Sequence, residues 1–310
     1  MASCVAITGA SGFIGSHLRR HFLDQGWQVR ALVRQRRPAP APGLELVPGA
    51  LEDQESLTRL VEGAELVVHA AGLIKATSRA AFMAANQGGV ERLAGALEGK
   101  AARLILLSSL AAREPAISPY AASKAAGEAA LRECRLDAWT ILRPPVVYGP
   151  GDPATLGFFR AVAKGIGPIL APADARVSFL HVADLCDAVA AVAAEPGATQ
   201  GMTYEPDDGA LGGYSWDQLI DAAAVACGTA PRRLRVPAAL LHAAALAAGG
   251  IAAVTGRPAI FGPGKAREIR HPDWASHGAS LGAATGWRPD WPLDQGFAQT
   301  VAWYRAENWL

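Results

Sequence analysis

The sequence predicts a doubly wound α/β chain, a parallel sheet with helices on both faces, followed by a smaller mixed α/β region. Three observations carry this. Short apolar runs alternate with helical periodicities as far as residue 150. A glycine-rich turn, Thr8-Gly9-Ala10-Ser11-Gly12-Phe13-Ile14-Gly15, joins the first apolar run to the first helical segment. Beyond residue 154 the strict alternation stops and Gly/Pro loops interrupt it.

Cys4-Val5-Ala6-Ile7 reads as a buried strand, and Phe13 to Gln25 has helical apolar spacing. Strand, glycine turn and helix together form a phosphate-binding context. Gly9 makes the tight turn, Gly12 lets a pyrophosphate approach the backbone, and Gly15 lets helix pack on strand. The helix N-terminus, with Ser11, Phe13 and Ile14 around it, offers free N–H groups. Residues 28–33 form the second strand, ending at Arg34 with Arg36 and Arg37 beyond and no carboxylate nearby. An acid there would hold the ribose hydroxyl of NAD, whereas Arg34 can grip the 2′-phosphate of NADP; the alternative is a solvated basic loop before Pro38–Pro42. NADP(H) is therefore favoured, with NAD(H) possible.

Residues 44–47 form a third strand, and Asp53 is an N-cap for a helix reaching Val61. Leu66 to His69 is the fourth strand, leaving through the small residues Ala70, Ala71 and Gly72, with His69 read as packing. Leu73 to Arg79 reads as a loop, in which Lys75 is a candidate substrate contact, and a helix is expected from Asn86 to Leu97. Residues 103–109 form a strand ending in Ser108 and Ser109. Eleven residues on, Tyr120 and Lys124 share one face of a helix running to about Cys134. Residues 137–142 form a sixth strand, stopped by Arg143-Pro144-Pro145.

These five motifs, in this order and at these separations, resemble the extended short-chain dehydrogenase/reductase family, in particular its dihydroflavonol reductase and 3β-hydroxysteroid dehydrogenase types. The resemblance spans most of the chain. It implies a Rossmann domain over residues 1–154, with 177–200 returning to it, and a substrate-binding domain of 155–176 and 201–310. It also implies cofactor contacts from Leu51, Asp53, Ala70, Ala71, Gly72, Pro144 and Val146, besides the glycine turn, Tyr120 and Lys124. Ser109, Tyr120 and Lys124 would be catalytic. A phenol of ordinary pKa about 10 needs a neighbouring cation to exchange a proton near neutrality, and Lys124 is one turn away. Ser109 would donate to the reacting oxygen. Ser109, Tyr148 and Arg176 join Lys75 as candidate substrate contacts; an exposed surface Arg176 is the equal alternative. Sugar-nucleotide members carry Asn where this chain has Pro145.

Three functions compete: a reversible NADP(H)-linked ketone reductase on a small, fairly apolar substrate, a nucleotide-sugar epimerase or dehydratase, and a non-catalytic nucleotide-binding assembly protein. With 29 Lys and Arg against 28 Asp and Glu, the net charge of +1 provides no field to recruit nucleic acid. Four scattered cysteines suggest no metal or redox motif and fit a reducing compartment, and a cytoplasmic location is expected. Residues 237–254 are nearly all apolar, but rich in alanine and broken by Gly249-Gly250. A buried or groove-lining helix is expected there in preference to a membrane span, with contact at a membrane surface as the open alternative. A homodimer is expected through the helices near Asn86 and Ser118, using Val90, Leu93, Ala94 and Leu97 and the alanines around Lys124.

Overall fold

A computed structural model describes residues 3–34, 38–255 and 261–310. β1 (Cys4–Thr8) leads through the glycine turn to α1 (Phe13–Asp24), then β2 (Gln28–Val33) and β3 (Leu44–Pro48). α2 (Gln54–Val61), β4 (Leu66–His69), α3 (Arg79–Asn86), α4 (Gly88–Leu97) and β5 (Arg103–Leu107) follow. After a 3₁₀ turn (Leu110–Arg113) come α5 (Pro119–Glu133), β6 (Trp139–Leu142), β7 (Val146–Tyr148) and α6 (Leu156–Ala163). Next are β8 (Ile166–Ile169), β9 (Arg176–Val177), β10 (Phe179–His181), α7 (Val182–Ala194), α8 (Pro196–Thr199) and β11 (Thr203–Tyr204). The chain closes with α9 (Trp216–Cys227), β12 (Arg232–Arg235), α10 (Ala238–Thr255), α11 (Pro263–Arg270), β13 (Asp273–Trp274), α12 (Leu281–Thr285) and α13 (Leu293–Ala306).

The chain divides into two units. The first comprises residues through Arg143, Cys186–Tyr204 and Gly278–Trp287. Its sheet is parallel throughout, in the order β11-β6-β5-β4-β1-β2-β3. Strand order reverses beside β1, which pairs with β2 on one side and β4 on the other. Ligands of such sheets bind outside the strand ends at that reversal. Val5, Ala6 and Ile7 are all fully buried, as a strand covered on both faces requires. The guanidinium of Arg103 donates to the carbonyls of Val192 and Ala193, so a cation closes the C-terminal end of α7.

The second unit comprises Pro144–Leu185, Glu205–His277 and Arg288–Leu310. Its three two-stranded sheets, β10-β7, β12-β8 and β13-β9, are also parallel. An aromatic core of Tyr148, Phe159, Phe297 and Tyr304 joins β7, α6 and α13. Asp184 accepts from the backbone N–H groups of Asp290 and Trp291, tying the start of α7 to the segment before α13.

Several expectations need correction. The two units divide the chain differently from the expected domains, with 144–154 and 177–185 in the second and 201–204 and 278–287 in the first. Asn86 ends α3 instead of opening α4. The chain breaks at Gln87 before the Gly88-Gly89 pair, and α3 itself starts after a Ser78 cap on Ala81. Within the Gly/Pro-rich stretch 165–175 the chain forms β8, recruited by pairing with β12. Val90, Leu93, Ala94 and Leu97 are buried within the chain, Val90, Leu93 and Leu97 in the cluster that covers the sheet. They therefore offer no apolar surface to a second copy.

α3 crosses α5 so closely that a Cβ on Gly127 would lie 2.7 Å from the Asn86 carbonyl oxygen. Alanine normally improves a helix over glycine by about 1 kcal/mol. Gly95→Ala, in open space on α4, should gain roughly that amount in urea denaturation. Gly127→Ala should instead lose about 1–3 kcal/mol through overpacking. Equal gains at both positions would contradict the packing.

Candidate active site

The glycine turn is built around absent side chains. Gly9 has φ +71°, and a Cβ there would lie 2.7 Å from the Ala71 nitrogen and 2.8 Å from the Ala70 carbonyl. A Cβ on Gly15 would meet the Gly9 oxygen at 2.1 Å. The N–H of Gly12 donates to the Gly9 carbonyl at 2.9 Å, closing the turn. Gly12 is exposed, and no side chain caps α1. An exposed, uncapped helix start over a backbone-lined turn fits the pyrophosphate of a dinucleotide. Thr8 fastens the turn to β4: its hydroxyl accepts from the Ala71 N–H at 3.2 Å and pairs with His69 Nδ1 at 2.7 Å. Burial, helped by the Lys124 charge, lowers the His69 pKa to about 3, so this imidazole is neutral packing.

The second half of the site gathers at Lys124. Its Nζ donates to the Leu107 carbonyl at 2.7 Å, where β5 ends. The Cβ position of Gly72 is 3.8 Å from the same Nζ, so the exits of β4 and β5 meet at this lysine. Burial of the ammonium lowers its pKa to about 8, against an upward pull from Glu128 one turn on. Tyr120, one turn earlier, is half-buried and meets Phe82 edge-on at 6.1 Å between ring centroids. Ser109 is half-buried and accepts from the Ala111 N–H at 3.2 Å. Its own proton has no acceptor among the described residues. Ser108 is committed elsewhere, donating to Glu128 at 2.5 Å.

Two features escaped the sequence reading. Asn86, buried at the end of α3, accepts from the Leu73 N–H at 2.7 Å. It also donates to the Leu73 carbonyl at 3.0 Å and to Ser123 Oγ at 2.8 Å. It thereby fixes the loop after Gly72 against α5. Glu128 is almost fully buried, and the Arg143 guanidinium straddles its carboxylate at 2.8 and 2.7 Å. Arg132 adds a 3.0 Å contact. Burial alone would raise the Glu128 pKa, but the Arg143, Ser108 and Arg132 bonds together bring it below its ordinary value. The signal available was the spacing Lys124, Glu128, Arg132, one turn apiece along α5.

The other predicted residues scatter more widely. Arg34 is exposed at the end of β2, while Arg36 and Arg37 lie outside the described residues. Asp53 is exposed and caps α2 by accepting from the Glu55 N–H at 3.1 Å. Arg92 donates to the Leu51 carbonyl at 2.6 Å, holding that loop to α4. Ser11, Phe13, Ile14, Ala70 and Ala71 are half-buried around the turn, and Lys75 is exposed. Pro144, Val146, Tyr148 and Arg176 belong to the second unit. Tyr148, expected as a substrate contact, is withdrawn into the core of the second unit. It is fully buried against Phe179, His181 and Phe297, because α13 passes over it at Gly296, where a Cβ would lie 2.1 Å from its hydroxyl. Arg176 is exposed and donates to the carbonyls of Asp174 and Ala175. Among the described residues no group of His, Cys, Asp and Glu is arranged to hold a metal ion.

A parallel sheet reversing at β1, a glycine cradle at that reversal and a Tyr/Lys helix beside it define an NAD(P)-dependent enzyme of the oxidoreductase/epimerase type. The chain belongs to the NAD-dependent epimerase/dehydratase family, whose model matches residues 5–205. It is 42% identical to a ceramide reductase of Caulobacter vibrioides, across 99% of this chain and 96% of that one. It is also 30% identical to a 4-hydroxy-2-methyl-3-oxo-4-farnesyl-3,4-dihydroquinoline-1-oxide ketoreductase of Stigmatella aurantiaca, over 66% of this chain and 68% of that one. Among solved structures, MoeE5 in complex with UDP-glucose and NAD has the same fold, with TM-score 0.76 and 21% identity, over 99% of this chain and 100% of that one.

The depressed Lys124 pKa has a testable sign. Below pH 8 the lysine is protonated in both folded and unfolded chains. Between about 8 and the free value of 10.5 the unfolded chain holds more protons, so stability rises with pH through that window. The stability of the wild type relative to Lys124→Met should therefore increase from pH 8 to 10.5 in urea titrations. A difference that stays flat or falls would contradict the burial of this cation.

Proposed function

We propose that the protein is an NADP(H)-linked reductase that reversibly reduces a ketone on a ceramide-class lipid or a similarly apolar molecule. The identity to a ceramide reductase along nearly the whole chain carries this reading. Pro145, where sugar-nucleotide members keep Asn, supports an apolar substrate. Bound NADP(H) supplies the hydride. The backbone of Gly9 to Gly15 holds the pyrophosphate, and Arg34 receives the 2′-phosphate. Lys124 would bond the nicotinamide ribose hydroxyls and, one helical turn from Tyr120, would favour proton exchange at that phenol. Tyr120 gives its proton to the carbonyl oxygen during reduction and takes it back in the reverse direction. Ser109 donates to that same oxygen as charge develops on it.

NADPH fluorescence tests the reading against a keto-ceramide, a short water-soluble ketone, and UDP- and dTDP-sugars. Net oxidation with the keto-ceramide is expected, and Tyr120→Phe should slow a single turnover by about 10²–10⁴ while NADPH binding stays near wild type. Sugar-nucleotide conversion with no net change in cofactor would replace this reading with an epimerase.

Cofactor choice is tested separately. Arg34→Ala should weaken NADPH binding by about tenfold, the size of one charge-assisted hydrogen bond, and leave NADH almost unchanged. A preference for NADH in the wild type would remove Arg34 from the phosphate site.

A further inference from the structure

α10 is apolar on every side: from Ala238 to Val254 its only polar side chain is His242, and it has no charged residue. A helix of that composition belongs inside a core or against lipid. Only one stripe of α10 is inside. Leu241 and Ala245 are buried with Ala266 of α11, and Val236, Phe261 and Ile269 pack around them. The opposite face, turned by about 100° per residue, carries Leu240, Ala243, Ala247, Ile251 and Val254, with Leu246 at its edge. The four large side chains there, Leu240, Leu246, Ile251 and Val254, are between 62% and 89% exposed. The helix expected to be buried or to line a groove thus presents half its surface outward. Scattered exposed leucines need no explanation, but an uncharged helical face does.

The strand that feeds α10 is basic. β12 reads Arg232-Arg233-Leu234-Arg235, and all four residues are exposed. Arg233 is neutralised by Asp217 and Asp221 of α9. Arg232 and Arg235 form no ion pair with a described residue. Arg232 is in register with Ile166 of β8, and side chains alternate along a strand, so Arg232, Leu234 and Ile166 share the face away from Gly167, which packs on Ile220 of α9. That face is apolar and cationic, with Leu234 and Ile166 about half exposed and Lys164 exposed one residue before Gly165.

We propose that α10 and β12 dock the protein on an anionic lipid surface, with the outer face of α10 lying in the headgroup layer and Arg232 on acidic headgroups. An unpaired arginine beside an acid-free apolar helix complements an anionic bilayer, whereas a second copy would bring the same arginine against itself. The helix lies on the membrane and does not cross it. Its inner stripe is seated on α11, and no described helix is long and apolar enough to span a bilayer. The inference goes beyond the proposed reductase activity and does not depend on it.

Sedimentation of the full chain with vesicles, without cofactor or substrate, tests it independently of turnover. Vesicles of phosphatidylglycerol and phosphatidylethanolamine should carry the protein down, and high salt or pure phosphatidylcholine should weaken binding. Ile251→Glu combined with Val254→Glu should lower binding by at least about tenfold, with an unchanged melting profile. Arg232→Ala, exposed and safe for folding, should lower it by roughly fivefold on the anionic vesicles. Wild-type protein left in the supernatant would overturn the proposal, as would variants that bind like wild type. A dimer by light scattering that the α10 double variant dissociates would also overturn it, assigning the face to a second copy.

Discussion

No side chain fits where the end of β1 passes the end of β4. Gly9 is left-handed there, its α-carbon against the Ala70–Ala71 peptide, and Gly15 sits over the Gly9 carbonyl. Thr8 then spends its hydroxyl on the Ala71 N–H and the His69 ring, so the two strand exits move as one piece. Everything proposed for the site depends on that close approach. It keeps the α1 N-terminus open and exposed beside backbone, the environment a phosphate anion needs. It also brings Gly72 near Lys124.

Lys124 is held by a second constraint, a buried charge cluster one turn further along α5. Glu128 is removed from water, which costs far more than an isolated carboxylate can recover. Arg143, Arg132 and Ser108 together satisfy both of its oxygens. Losing Arg143, which spans both oxygens, would leave the buried carboxylate with much weaker compensation, so the end of β5, the end of β6 and α5 are tied together. Asn86 performs the neutral counterpart at α3, satisfying both polar groups of Leu73 while touching Ser123. Lys124 and Tyr120 thus project from a helix fixed at its neighbours on both sides, which is the preorganisation that proton exchange at a carbonyl needs.

Much of this was legible in the sequence because it is local. Gly9, Gly12 and Gly15 state a backbone requirement directly, and a parallel sheet announces its strands as apolar runs. Tyr120 and Lys124 need only helical spacing to share a face. What was not legible depends on partners distant in sequence. Nothing local marks Tyr148 as core, since its burial follows from α13 crossing it more than 140 residues later. β8 is a strand only because β12 pairs with it. Asn86 looked like a helix start because its hydrogen bonds to Leu73 and Ser123 require the fold to exist first. The α10 segment was correctly read as a helix, but its composition could not say which half of it the chain would cover.

A crystal structure grown with NADP⁺ is the most direct test of the central claim, that one cradle and one helix face form a single dinucleotide site. The pyrophosphate should rest on the N–H groups of the first turn of α1 above Gly9 and Gly12. The nicotinamide ribose should bond Lys124 Nζ, with the 2′-phosphate against Arg34. A dinucleotide bound away from the glycine turn, or one whose nicotinamide half leaves Lys124 and Tyr120 untouched, would contradict the account.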